Sequence, residues 1–195
     1  MNAAHLQKTL RASQYAEQVL RLHREILEHD YAVDQFQSSL STEQIQQWVH
    51  TELLGIQDET QWMRSLRVLR ARLMFRWIWQ DANVLTDVVT LTRELSDFAD
   101  ASINAAKDFA RIPLLAKHGE PIGVSGHVQD LIVVAMGKLG AQELNLSSDI
   151  DLIFAFDEQG ETNGRKCIDV QQFCIAWGQK IIYLLEHMTA EGFVF

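Results

Sequence analysis

Chain-breaking residues are distributed very unevenly along this sequence, and that limits what each part can fold into. The first 112 residues contain no proline and a single glycine, Gly55; residues 113–140 then hold both prolines and five glycines. Strands joined by tight turns need such punctuation, and helices exclude it. The sequence therefore predicts an α+β protein: a helical bundle over residues 1–112, followed by an α/β region over residues 113–195.

Apolar spacing supports helices in the first part. Leu6, Leu10, Val19, Leu22 and Ile26 recur at near-helical intervals. Ser41 and Gln44 stand three apart ahead of Ile45, Trp48, Val49 and Leu53, the arrangement of a capping box. A third helix is predicted from about Glu59 to Trp79. A fourth begins near Thr86, with Val89, Leu95, Phe98, Ile103, Ala106 and Phe109 inward. It is expected to end before Pro113, because a residue preceding proline avoids helical geometry. Arg64, Arg67, Arg70, Arg72 and Arg76 lie on the third helix. They read as a solvated or ion-paired face; the alternative is that one edge of this helix borders a functional cleft.

The densest chemistry lies in Leu131–Phe156, LIVVAMGKLGAQELNLSSDIDLIFAF. Leu131–Met136 is apolar at every position and is predicted to be a strand covered on both faces. Ile150–Phe156 is a second strand, with Asp149 and Asp151 at its mouth. Side chains two apart on a strand share a face, about 6.5–7 Å apart at the backbone. Two carboxylates aimed together can grip a divalent cation, and hard oxygen donors suit Mg²⁺, with Mn²⁺ as an alternative. Gly137 and Gly140 permit a tight turn whose backbone N–H groups can approach a phosphate. Lys138 reads equally as a phosphate contact or a solvated lysine. Ser147 and Ser148 can cap the loop or bond a phosphate, and Asn145 and Glu143 read as loop braces. Beyond the second strand, Asp169 and Gln172 can cap a helix. Val170, Phe173, Cys174, Trp177, Ile181, Leu184, Leu185 and Met188 fit its inner face.

Composition excludes some functions. With 26 acidic against 17 basic residues the formal charge is −9, which argues against an extended nucleic-acid footprint. No apolar run approaches a membrane span, and the charged first thirty residues are unlike a secretory signal. Cys167 and Cys174 fit reduced residues of a cytoplasmic protein. His118 and His127 have no metal-ligand spacing and read as surface residues.

Met136-Gly137-Lys138, then ten residues, then Asp149-Ile150-Asp151-Leu152 resembles the nucleotidyltransferase superfamily that contains DNA polymerase beta. Within it, Met136–Gly140, Glu143-Leu144-Asn145, Ser147–Phe154 and Gly192–Phe195 resemble the bifunctional glutamine synthetase adenylyltransferase/adenylyl-removing family. The resemblance implies a polymerase-beta-like domain, with Asp149 and Asp151 as Mg²⁺ ligands and catalytic residues. Gly137, Lys138, Gly140, Ser147 and Ser148 would hold phosphate or nucleotide. ELN followed by SSDID is closer to the adenylyl-removing half. That half uses orthophosphate to release ADP from adenylylated glutamine synthetase. The implied partners are glutamine synthetase, the nitrogen signal protein PII, and orthophosphate, ADP and ATP. The resembling enzymes continue after Gly-Phe-Val into Arg-Val-Asp-x-Arg-Leu-Arg-Pro, whose Asp is a third ligand. The sequence is thus expected to be a piece of a longer enzyme, cut before that carboxylate and inactive by itself. Two rival readings remain: the ATP-using adenylylating half, and a non-catalytic docking or regulatory module.

Overall fold

A computed structural model of the chain describes residues 1–32 and 36–195. Five helices come first: α1 (Ala3–Ala12), α2 (Gln14–Ala32), α3 (Thr42–Leu53), α4 (Glu59–Ala82) and α5 (Val88–His118). A strand-bearing part follows, with β1 (Pro121–Gly123), β2 (Ile132–Ala135), the short α6 (Gly137–Gly140), β3 (Leu152–Ala155), β4 (Gly160–Thr162) and α7 (Val170–Glu186). This is an α+β protein with a helical N-terminal part. No described helix is long and apolar enough to cross a membrane.

Local sequence sets several helix starts. Ser41 caps α3 in a full capping box: its Oγ accepts from Gln44 N–H, and Gln44 Oε1 accepts from Ser41 N–H. Asp58 and Asp87 accept from the backbone in the first turns of α4 and α5. Asp169 occupies the N-cap position of α7 but makes no side-chain cap bond. The expected Asp169–Gln172 box does not form. The entry to α7 is held by backbone pairing instead, with Asp169 bridged to Glu161 and Thr162 N–H bonded to Ile168 O.

Three expectations about helix faces and ends are corrected. In α2 the buried apolar residues are Ala16, Val19, Leu20 and Leu27, while Leu22 and Ile26 are exposed, because the inner face is the one laid on α4. In α5, Val89 is exposed and Leu91 buried. Helix α5 also runs through Pro113 to His118. Tertiary contacts beyond the proline outweigh its missing N–H. Leu114 and Leu115 pack on the core, His118 Nδ1 lies 2.6 Å from Lys166 O, and Arg111 pairs with Glu120 at 2.6 Å. His118 is therefore buried, not a surface residue.

The α4 arginines are tied down. Arg64 pairs with Glu191, Arg72 with Asp30 and Glu52, and Arg76 with Glu94; Arg70 donates to Tyr15 Oη at 3.2 Å and lies over the Phe193 ring. Arg67 and Arg76 are each 1% exposed, so "solvated" fails for both. One buried cluster unites α3, α4, α5 and α7 with the strand-bearing part, through residues such as Leu66, Phe98, Leu144, Trp177 and Val194. Val133, Leu152 and Phe154 pack against it from the sheet.

β2 and β3 pair antiparallel, with Ile132 opposite Ala155 and Ala135 opposite Leu152. Ile132, Val134 and Ile153 face outward and are exposed. The expectation that Leu131–Met136 is covered on both faces therefore fails. The described residues supply a layer on one side of this sheet only, and apolar composition alone cannot show how many layers a strand receives.

The predicted inner face of α7 is observed up to Leu185, while Met188 lies past the helix end and is exposed. Cys174 on that face is buried, and desolvation pushes its thiol up to about 11. Cys167 is exposed. Only thiolate reacts rapidly with a disulfide reagent. At pH 8 one thiol per chain, Cys167, is expected to titrate quickly and Cys174 only on unfolding. Two fast thiols would contradict the burial.

Candidate functional site

The antiparallel ladder extends past the strands: Met136 N–H donates to Asp151 O at 2.9 Å. That bond sets Asp151 against the turn that opens at Gly137. Gly137 adopts φ +57°, a backbone region that glycine enters without the strain a side chain would add. A Cβ built there would stand 3.7 Å from Asp151 Oδ2. The glycine turn and this carboxylate are thus immediate neighbours.

Asp149 and Asp151 precede β3 rather than lying in it, so the two-residue strand spacing does not by itself align them. Both nonetheless line one cleft of ≈ 610 Å³. Leu152, Phe154, Leu185, Glu186, Met188 and Phe193 line it with them. Both carboxylates are exposed. Among the described residues no group of three His, Cys, Asp or Glu side chains is placed to hold a metal. Two hard carboxylate donors open to solvent fit a divalent cation that keeps part of its water shell.

The other predicted residues form a second group beside this one. Lys138 Nζ lies 3.4 Å from Ser148 Oγ, and Ser148 Oγ donates to Asn145 Oδ1 at 2.8 Å. Ser147 N–H also bonds Asn145 Oδ1, at 3.1 Å. Asn145 therefore braces the loop. Glu143 contributes a backbone bond to Lys138 O and leaves its side chain exposed. Ser147 is exposed.

Gly140 has a packing reason of its own: a Cβ there would meet Ala135 O at 2.6 Å. Carbonyl oxygen on β2 cannot yield by a rotamer change. Gly140→Ala is expected to cost about 1–3 kcal/mol, the range for overpacking. Urea unfolding would read this, and a loss under about 0.5 kcal/mol would show that the α6 turn can shift freely.

Residues remote in sequence hold the loop. Gln142 Nε2 donates to Asp100 Oδ2 at 3.1 Å, and Leu144 N–H donates to buried Ser96 Oγ at 3.1 Å. Ser96 and Asp100 belong to α5, and no local pattern pointed to them. Glu186, which lines the cleft, was not singled out by the sequence either. No α4 residue lines the cleft; Arg64, Arg67 and Arg70 instead contact the segment 191–193, of which Phe193 is a lining residue.

Comparison with known proteins gives consistent relatives. The chain is 75% identical over its whole length to a bifunctional glutamine synthetase adenylyltransferase/adenylyl-removing enzyme of Acinetobacter baylyi, of which it spans 21%. It is 47% identical over 74% of its length to the protein of the same name from Hahella chejuensis, spanning 15% of that protein. A third, from Thioalkalivibrio sulfidiphilus, is 47% identical over 71% of this chain and 14% of its own length. The model of the glutamate-ammonia ligase adenylyltransferase family matches residues 3–195, and the chain belongs to that family.

Proposed function

We infer that this chain carries part of the adenylyl-removing centre of its family. The reaction is phosphorolysis: an orthophosphate oxygen attacks the phosphorus of AMP-tyrosine on glutamine synthetase. A P–O bond to ADP forms, the P–O bond to tyrosine breaks, and the phenolate takes up a proton. The observation that carries the reading is the pair Asp149 and Asp151 lining one cleft, with the Asp151 carboxylate against the Gly137 turn.

Asp149 and Asp151 would hold Mg²⁺, which when bound offsets the charge of the reacting phosphates. Lys138 and Ser148, already within bonding reach of each other, would orient a phosphate oxygen. Gly137 leaves room for that oxygen near the backbone, and Ser147 and Gly140 complete the loop around it. The strand-bearing part from residue 113 would be the nucleotidyltransferase domain and residues 1–112 its helical support. PII would act as controlling partner in the cytoplasm.

The test uses the natural protein carrying this sequence, with Asp151→Asn. Release of ADP from adenylylated glutamine synthetase and orthophosphate is expected to be lost. Incorporation of AMP from ATP into unmodified glutamine synthetase is expected to persist. The opposite pattern would assign the chain to the adenylylating half, and loss of neither would leave the acidic pair without a catalytic role.

A further inference from the structure

Helix α7 ends at Glu186, so the carbonyls of its last turn need donors from outside the helix. Tyr183 O accepts from His187 N–H at 3.1 Å, and Leu185 O accepts from Val194 N–H at 2.8 Å. Leu184 O is served from another helix: Arg67 Nη2 reaches it at 3.2 Å and also donates to His187 O at 2.6 Å. Arg67 Nε donates to Gly192 O at 2.8 Å, and Nη1 to Met63 O on its own helix at 3.0 Å. One guanidinium, 1% exposed, therefore joins α4, the end of α7 and the turn at Gly192. Only a planar fork with several fixed donors can do this; a lysine ammonium is a point charge on a flexible stem.

The joined segment is one wall of the acidic cleft. Leu185, Glu186, Met188 and Phe193 line it together with Asp149 and Asp151, while Arg67 itself does not reach the cleft. We propose that Arg67 is a positioning residue for the reaction at Asp149 and Asp151, acting by holding the end of α7 and the segment 187–192 as a fixed wall. This rests on the functional reading above. The turn is also held by the Thr189–Gly192 bridge, by Thr189 Oγ1 donating to Gly192 O at 3.0 Å, by Arg70 over the Phe193 ring, and by the Arg64–Glu191 pair at 3.1 Å, which is on the surface and weak. None of these reaches the His187 carbonyl or joins the end of α7 to α4 as Arg67 does. Without the guanidinium, Gly192 O keeps Thr189 N–H and Oγ1 as donors, but Leu184 O and His187 O lose their Arg67 donor, and the end of α7 moves to find water or another donor.

The test compares Arg67→Lys, Arg67→Met and Asp151→Asn in the natural protein carrying this sequence, well below each variant's melting temperature. Amide hydrogen exchange in 187–195, measured without added metal, is expected to quicken at least tenfold in Arg67→Met, with α3 and α5 unchanged. Phosphorolysis kcat per folded molecule is expected to fall on the order of 10²-fold in Arg67→Met, and about tenfold in Arg67→Lys, as for a displaced active-site wall. The KM for the adenylylated substrate should move far less. Unchanged exchange in 187–195 overturns the proposal. So does faster exchange with kcat intact, or a kcat loss no greater than the loss of folded protein. If Asp151→Asn leaves phosphorolysis unchanged, the functional reading fails instead, whatever the Arg67 variants do to exchange.

Discussion

Replacing Asp149 or Asp151 by asparagine is expected to lower phosphorolysis by about 10³-fold, roughly 4 kcal/mol of barrier. The substitution keeps the size of the side chain and removes only its charge. At position 151 the backbone carbonyl still accepts from Met136 N–H, so the ladder and the Gly137 turn keep their places. Both carboxylates are exposed, and a surface change of this kind alters stability by about 0.5 kcal/mol or less. Activity and stability should therefore separate cleanly. Removing one of two like charges also relieves repulsion, so a small rise in melting temperature would agree with the reading. The binding readout is a Mn²⁺ titration of the natural protein, in which each single variant should bind more weakly. Turnover within a few-fold of wild type in either variant would end the metal-site interpretation.

The largest loss of stability is expected at Glu94. Its carboxylate is buried, 2% exposed, and accepts from Arg76 Nη1 at 2.5 Å, Trp77 Nε1 at 2.7 Å and Leu40 N–H at 2.8 Å. Leucine in its place would strip an acceptor from Arg76, Trp77 and Leu40 and take the Glu94 carboxylate away from the buried Arg76 guanidinium. Breaking a buried ion pair from one side costs about 3–5 kcal/mol. With a urea slope of about 2 kcal/mol per molar, the unfolding midpoint should fall by about 2 M. Glu94→Gln keeps an acceptor and should lose less. A midpoint shift below about 0.5 M for Glu94→Leu would mean that Arg76 and Trp77 find other partners readily.

Glu94 also marks the limit of inference from sequence here. Its neighbours in the chain show a helix with an inward face, but nothing local shows that an acid on that face receives an arginine from α4. The same holds for Ser96 beneath the loop and for Arg67. By contrast, the Ser41–Gln44 box and the inner face of α7 were legible, because each depends on residues three or four apart. The approach of Gly137 to Asp151 and of Lys138 to Ser148 has a different origin: two apolar strands flank the stretch 136–151, and their pairing brings its ends together.

Where the sequence misled, a longer-range force had won. Pro113 reads as a helix end, yet α5 continues because contacts at Leu114, Leu115 and His118 hold the turns beyond it. Leu131–Met136 reads as doubly covered, yet Ile132 and Val134 are open. By itself the sequence determined most of the helices, the β2–β3 strand segments, and where the acidic pair and glycine turn fall along the chain, but not the strands β1 and β4. These follow from local periodicity, capping and backbone freedom. The tertiary structure decided which apolar faces are covered, which arginines are buried, and that Arg67 of α4 bonds the end of α7 and the turn at Gly192. Those outcomes depend on contacts between residues as far apart as Arg67 and Gly192, which no local spacing encodes.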